Sequence, residues 1–201
     1  MDRRTILKYT AYLTGYAVAA PLGSALLSGC KAEPKAPDFN PAFFTGDAWQ
    51  NLSAMIDTML PATKTPGAVE VGVPQFIDLL LSVYSLPEDQ ERIRKGMNEW
   101  LASVQTAQGK AYHELDADTQ LSLLNELDKT AKTEAEALLE LDISAEEATA
   151  RFPWWLSVKS MAIGGYFSSA KVATEVLVYD PVPGPYQGCI PFSSVGASYS
   201  L

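Results

Sequence analysis

The sequence predicts an all-α fold, a single compact domain of about five to seven helices with an irregular Pro/Gly-rich C-terminal segment. Two observations predict it. Apolar residues recur at spacings of three and four along several stretches between residues 48 and 167, the period of a helix with one buried face. From Tyr179 onward this period is lost and prolines and glycines interrupt the chain. With 201 residues, 47% of them hydrophobic, the chain is long enough to bury one sizeable core.

The net charge argues against one class of partner. The formal charge is −9 at pH 7, and the sequence has no stripe of basic residues that could offset it. Such a chain repels the phosphate backbone of nucleic acids. We therefore expect no nucleic-acid binding.

The first 29 residues have the pattern of an export signal. Arg3 and Arg4 lie in a basic segment, "MDRRTILK", and no charged residue occurs between Tyr9 and Cys30. The order Arg-Arg-Thr-Ile-Leu-Lys resembles the twin-arginine signal, which predicts a periplasmic protein exported by that route. The alternative is an ordinary secretory signal that happens to contain two arginines.

The end of this segment predicts a lipid anchor. "LSGC", ending at Cys30, resembles the bacterial lipobox, in which the cysteine thiol receives a lipid and the chain is cleaved before it. Such an anchor would tether an otherwise soluble domain to the membrane. The sequence contains two cysteines, so a Cys30–Cys189 disulfide in an oxidising compartment is the alternative, and it excludes lipidation.

After the leader, the sequence predicts a Pro-rich tether over residues 30–45 and the helical domain over residues 46–201. The first helix is expected from Ala48 to Leu60, with Asp47 as its N-cap and Pro61 ending it. The next helix, in "QFIDLLLSVY", is nearly all apolar. We expect such a helix in the middle of a bundle or under a partner.

Between these two helices lies the opening loop, Leu60 to Phe76, with the sequence "LPATKTPGAVEVGVPQF". Its prolines and glycines exclude a helix, yet it is neither charged nor serine-rich as flexible linkers are. Asp57 and Asp78 interrupt the apolar stripes on either side of it. We predict that they hydrogen-bond loop amides; the alternative is a paired-carboxylate site.

Four further features predict the ends and the contacts of the later helices. Gly109 is expected to end a helix that begins near Ser85 and Pro87, and Asp116 or Asp118 to cap the following one. A break is expected at 142–144. Gly164 and Gly165, in a helix that begins at "PWW", are expected to let a neighbouring helix or chain come close.

The C-terminal segment is either disordered or pinned against a surface. Its content of aromatic and aliphatic residues favours pinning. These residues are Tyr186, Ile190, Phe192, Val195 and Tyr199.

The sequence predicts no catalytic, cofactor-binding or metal-binding residue. His113 is the one histidine, which excludes metal sites built on several histidines and leaves a surface or capping role as the expectation. The glycines near the C-terminus lack the strand–turn–helix context of a dinucleotide site, and no haem-attachment motif is present.

The segment "IDTMLPATKTPGAVEVGVPQFIDLLL" resembles the signature of the gluconate 2-dehydrogenase subunit 3 family, in which an Ile-(Leu)-Pro turn is followed by a Thr-x-Gly-Ala loop and a Gly-Val-x-x-Phe-Ile-Asp helix start. "LDADTQLSLLNEL" and "GGYFSSAKVATEVLVYDPVPGPYQGC" fit the second half of the family, so that the resemblance covers roughly residues 45–195. The matching residues of the first segment are Leu60, Pro61, Thr65, Gly67, Ala68, Gly72, Val73, Phe76, Ile77 and Asp78.

The resemblance implies a non-catalytic subunit. In complexes of this family a large flavoprotein of the glucose–methanol–choline oxidoreductase type binds FAD and oxidises a sugar or sugar acid, and a cytochrome c subunit with haem c carries the electrons onward. The small subunit assists maturation and supplies the twin-arginine leader for the flavoprotein. The lipobox departs from the usual family pattern, and implies that this subunit also tethers the complex.

On this basis, small, proline and aromatic residues of the loop, the later helix and the tail are the candidates for contact with the partner. They are Pro61, Gly67, Gly72, Phe76, Trp154, Trp155, Tyr166, Phe167, Tyr186 and Phe192. The alternative function is an autonomous lipid-anchored helical protein that binds a ligand or acts as a scaffold in the cell envelope. That alternative predicts a closed, polar surface.

Overall fold

A computed structural model describes residues 39–179, 184–185 and 189–199. Apart from Phe39, these residues belong to one compact unit, Asn40–Leu201. The predictions for Arg3, Arg4, Cys30 and Tyr186 lie outside the described residues.

The described chain is helical, which confirms the predicted fold class. Five helices have seven or more residues, and no strand occurs in the described ranges, where Val178 and Tyr199 form an isolated parallel bridge. The helices are α1 (Asp47–Met59), α2 (Val73–Leu79), α3 (Pro87–Gln108), α4 (Ala117–Leu139), α5 (Ala145–Ala150), α6 (Trp154–Phe167), α7 (Ala170–Glu175) and α8 (Phe192–Val195). A π-helical turn, Leu80–Tyr84, continues α2, and a 3₁₀ turn, Tyr112–Glu114, precedes α4.

Helix α6 is the centre of the bundle and packs against α2, α3 and α4. It can do so because its residues are apolar around most of its circumference, so that several faces are buried at once. Trp155, Val158 and Ala162 are almost completely inaccessible to solvent. Beside them, the Trp154 ring lies directly against Gly96 of α3, in the space that a β-carbon would occupy.

The ends of the helices follow local chemistry. Gly109 ends α3 in the left-handed conformation, with φ 72°, and the Asp116 carboxylate accepts from the Thr119 amide at the start of α4; both were expected. The break at 142–144 is also present, and there the Ser144 hydroxyl caps α5. Asp47 is not the N-cap of α1: Gly46 holds that position with φ 56°, and Asp47 is the first helical residue.

The buried carboxylate of Asp78 fixes the beginning of the domain. It accepts hydrogen bonds from the amides of Ala42, Phe43 and Phe44 at 2.8–2.9 Å. The rings of Phe43 and Phe44 are buried, and the Arg94 guanidinium lies 4.3 Å from the centre of the Phe43 ring. Residues 43 and 44, assigned from the sequence to the tether, therefore contribute to the core.

This arrangement corrects one expectation in part. Asp78 does bind loop amides, but they belong to residues 42–44 and not to the opening loop. Asp57 is exposed on α1. Because Asp57 faces solvent while Asp78 is buried under residues 42–44, the structure does not bring the two together as a paired-carboxylate site.

A second carboxylate joins two helices of the bundle. Asp128 of α4 accepts from the Trp155 indole at 3.1 Å and from the Lys159 ammonium at 2.5 Å, both on α6. Lys132, one turn further along α4, forms an ion pair with it at 2.8 Å. Burial raises the pKa of Asp128, but hydrogen bonds from these three donors outweigh that effect and lower the pKa to about 2.

Asp128→Asn removes the charge that pairs with Lys132 and Lys159, and is expected to reduce the free energy of unfolding at neutral pH. The loss should be only about 1 kcal/mol, because solvent screens these partly exposed ion pairs. The folded pKa lies below the ordinary value of 3.8, so the stabilisation is present above pH 4 and is lost as the pH falls towards 2. Urea unfolding of both proteins as a function of pH tests this. The difference in the free energy of unfolding between the wild type and Asp128→Asn should become smaller as the pH falls from 4 towards 2. A difference that stays constant would show that the ionised Asp128 carboxylate is not the source of the stabilisation.

Within the described residues, no helix is both long enough and apolar enough to cross a bilayer.

Candidate functional site

The opening loop is internally hydrogen-bonded and compact. The Ala68 amide donates to the Leu60 carbonyl at 2.9 Å, and the Val73 amide donates to the Ala68 carbonyl at 3.0 Å. Gly72, just before α2, has φ 81°, a conformation that other residues rarely adopt. A β-carbon on Gly67 would lie 2.9 Å from the backbone nitrogen of Ala62, so only glycine fits there without a backbone shift.

Two side chains from the C-terminal half of the domain hold this loop in place. The Tyr166 hydroxyl of α6 donates to the Pro66 carbonyl at 2.9 Å. The Lys171 ammonium of α7 pairs with the Glu70 carboxylate, and this hydrogen bond lowers the pKa of Glu70. The loop is thus attached to α6 and α7, across about 100 residues of sequence.

Helices α2 and α6 meet at a glycine. A β-carbon built on Gly165 would lie only 2.6 Å from Cδ1 of Phe76, so the Phe76 ring lies against the backbone of α6. The close approach expected at Gly164–Gly165 is therefore present at Gly165. At Gly164 the same position is open space within 4 Å.

The outer side of α2, its π turn and the short connection to α3 expose large apolar side chains. We call this surface the α2 face; it consists of Phe76, Leu79, Val83, Tyr84 and Leu86, with exposed fractions of 40, 51, 62, 74 and 63%. The inner side of the same segment is buried through Val73, Ile77 and Leu81. Within the described ranges, the chain thus covers this segment on its inner side and leaves its outer side exposed.

The α2 face carries no charge. Between Val71 and Pro87 the sequence has one charged residue, Asp78, and its carboxylate is buried and hydrogen-bonded. The nearest charged residues along the chain on either side are Glu70 and Glu88. In a protein of net charge −9, this is an uncharged apolar surface with acidic neighbours.

A second apolar feature is a cleft of about 500 Å³ between the end of α6, α7 and the tail. One wall is the Phe167 ring and another is Tyr199, which is held near Val178 by the parallel bridge and by a 2.8 Å bond from the Val178 amide to the Ser198 carbonyl. The tail is therefore pinned at this point. Earlier in the tail, Phe192 is 71% exposed.

The structure divides the candidate contact residues by accessibility. Gly67, Trp155 and Tyr166 are buried, so they can affect binding of a partner only by stabilising the fold. Gly72 and Trp154 are half-buried. Pro61, Phe76, Phe167 and Phe192 are exposed, and Tyr186 lies outside the described residues.

Sequence reasoning missed most of the α2 face. The signal was present, because Phe76, Leu79 and Val83 recur at helical spacing without a polar residue on their side of the helix. Apolar residues on every side of a helix indicate burial, but they do not say whether the cover comes from the same chain.

The groups that carry acid–base or metal chemistry are dispersed in the part of the chain that the structure describes. The His113 ring nitrogen Nδ1 lies 3.0 Å from the side-chain oxygen of Asn51, whose oxygen also accepts from the His113 amide. Among the described residues, no three His, Cys, Asp or Glu side chains are grouped to hold a metal ion. Cys189 is exposed and is not in a disulfide with any described residue.

Comparison with known proteins gives one match. A family model described as gluconate 2-dehydrogenase subunit 3 matches residues 46–184, which span α1 to α7. No curated protein and no solved structure matches the chain.

Proposed function

The chain belongs to the gluconate 2-dehydrogenase subunit 3 family, a small subunit of a sugar-acid dehydrogenase complex, and we propose that it is the non-catalytic subunit of a periplasmic FAD-dependent dehydrogenase of the glucose–methanol–choline type. Family membership implies dehydrogenase partner subunits. In our proposal the large subunit binds FAD and oxidises a sugar or sugar acid, and a third subunit carries haem c. This chain binds neither cofactor.

The observation that carries the proposal is the family match over residues 46–184, nearly the whole helical domain. The exposed apolar α2 face supports it, because several large apolar side chains exposed along one short segment are typical of proteins that function in a complex. An autonomous envelope protein is expected to have a closed, polar surface instead.

We further propose that the chain accompanies its flavoprotein through export. The twin-arginine route transports folded proteins, so a flavoprotein without a leader can cross with FAD bound if a partner supplies the signal. Arg3 and Arg4 would provide that signal, and a lipid on Cys30 would tether the complex at the membrane.

The test is co-expression of the full chain with a large FAD-dependent dehydrogenase subunit of the same organism that has no leader of its own. We expect the two proteins to co-elute in size-exclusion chromatography, and flavin absorbance to appear in the periplasmic fraction. Replacing Arg3 and Arg4 with lysine retains the charge but removes the guanidinium groups. This double variant is expected to leave the flavoprotein in the cytoplasm.

Lys8→Arg is the matched control. It is also an exchange between lysine and arginine, but it leaves Arg3 and Arg4 in place. Export should continue in this variant. Absence of co-elution with any such flavoprotein would contradict the subunit assignment, and periplasmic flavoprotein in the double variant would contradict the export role alone.

A further inference from the structure

We infer that the α2 face is the surface on which the large dehydrogenase subunit docks, through an apolar and uncharged surface of that subunit. The inference rests on the proposed function and deepens it, because it assigns the partner to one side of this chain. Of the five side chains of the α2 face, only Phe76 is among the residues that carry the family resemblance.

The described residues leave the outer side of the α2 segment exposed. The α2 segment is anchored from inside by Val73, Ile77 and Leu81, and at its two ends by Gly165 against Phe76 and by Gln90, whose side-chain amide donates to the Leu81 carbonyl at 2.8 Å. Its backbone is therefore held firmly while five large apolar side chains on the outer side remain in water. Burying these side chains is favourable, and because the backbone is already fixed, little additional ordering opposes it.

The π turn contributes to the shape of this surface. The Ser85 amide donates to the Leu80 carbonyl, five residues earlier, and widens the last turn of the segment. That turn presents Val83 and Tyr84, whose exposed fractions of 62 and 74% are among the highest of the large apolar side chains in the described residues. Tyr84 combines a large apolar ring with a hydroxyl group, the type of side chain that is enriched at protein interfaces.

The charges near the α2 face distinguish a protein partner from a lipid surface. Helices that lie in a membrane interface carry lysine and arginine beside the apolar side, where they attract anionic lipids. Here the neighbouring charges along the chain are Glu70 and Glu88, and Lys171 is already paired with Glu70. Along the chain, the α2 face therefore lacks the cations that hold a helix on an anionic membrane, whereas an apolar, uncharged protein surface does not need them.

The experiment compares two double variants of the full chain. Leu79→Asp/Val83→Asp places two carboxylates in the α2 face, and Leu139→Asp/Leu141→Asp makes the same change at two exposed leucines at the end of α4 and just after it. Each is co-expressed with the large flavoprotein, and affinity is measured on the purified proteins. The α2-face variant is expected to bind about 100-fold more weakly or worse, because charged groups would be desolvated without partners. The control variant should bind like the wild type.

Folding is checked separately. Both variants replace exposed aliphatic residues, so both should retain the melting temperature of the wild type within a few degrees. If the α2-face variant unfolds, Leu79→Ser/Val83→Ser is used in its place. A smaller loss of binding is then expected, because apolar contacts are lost but no charge is buried, and Leu139→Ser/Leu141→Ser should bind like the wild type.

The other outcomes overturn the inference in distinguishable ways. If the wild type does not bind the flavoprotein, the proposed function fails. If the wild type and the α2-face variant bind it equally, only the docking assignment fails. A dimer of the isolated chain that the α2-face substitutions abolish would assign the surface to a second copy of the chain. If a smaller fraction of the α2-face variant than of the wild type sediments with phosphatidylglycerol vesicles, the α2 face would be assigned to membrane binding.

Discussion

Asp78→Ala is expected to reduce the free energy of unfolding by about 3 kcal/mol, the largest loss of stability that we expect from a single polar residue of this domain. Three amides donate to the Asp78 carboxylate, and those of Phe43 and Phe44 are buried. In the variant these donors would have no acceptor in the protein. Chemical denaturation with intrinsic fluorescence measures the change.

The structural consequence extends beyond the lost hydrogen bonds. The Phe43 and Phe44 rings are 8 and 3% exposed, and they enter the core only because residues 42–44 follow the surface of α2. Without the carboxylate, this segment is expected to detach and to expose both rings. Faster hydrogen exchange at residues 42–44, with little change in α4, would identify this local opening.

Asp57→Ala is the matched control, because it removes a carboxylate that is exposed on α1. Its effect should stay within about 0.5 kcal/mol, as for most surface substitutions. Asp78→Asn retains the size of the side chain and one acceptor oxygen, so its loss should be smaller than that of Asp78→Ala. Equal stability of Asp78→Ala and Asp57→Ala would show that the amides of residues 42–44 are not held by Asp78.

Asp57 and Asp78 show which features of this fold the sequence can predict and which it cannot. Both interrupt an apolar stripe, and that pattern predicts a hydrogen-bonding role for each. Burial decides which of them has it, and burial depends on where residues 42–44 pass, a contact across about 35 positions of sequence. Local signals do not contain that information.

Features that depend on neighbouring residues were predictable. The left-handed Gly109, the Asp116 cap and the break before Ser144 each follow from the chemistry of one helix end. For the candidate site, the sequence correctly identified an apolar α2 segment and a close approach near Gly165. It could not tell which side of α2 the chain covers itself, because a helix that is apolar all round has the same pattern inside a bundle and under a partner.

The junction of α2 and α6 gives the second large effect, in two adjacent glycines that are expected to respond with opposite signs. Gly164→Ala should stabilise the protein by about 0.5–1 kcal/mol, because alanine favours the helix and the new methyl group would meet no atom within 4 Å outside the local backbone of its own helix. Gly165→Ala should destabilise it by about 1–3 kcal/mol despite the same gain in helix propensity, because the methyl group would overlap the Phe76 ring. Thermal unfolding of the two variants measures the difference.

The contact between Gly165 and Phe76 links the stability of the fold to the docking surface. To admit a methyl group at Gly165, the Phe76 ring must move outward, and this ring is part of the α2 face. Gly165→Ala/Phe76→Leu, with a smaller side chain at the contact, should recover part of the lost stability. If Phe76 is also a contact of the large subunit, the double variant should bind that subunit more weakly than Gly164→Ala even after its stability is restored. Equal melting temperatures for the two single variants would mean that α2 does not lie against α6 at Gly165, and the position of the α2 face would then have to be revised.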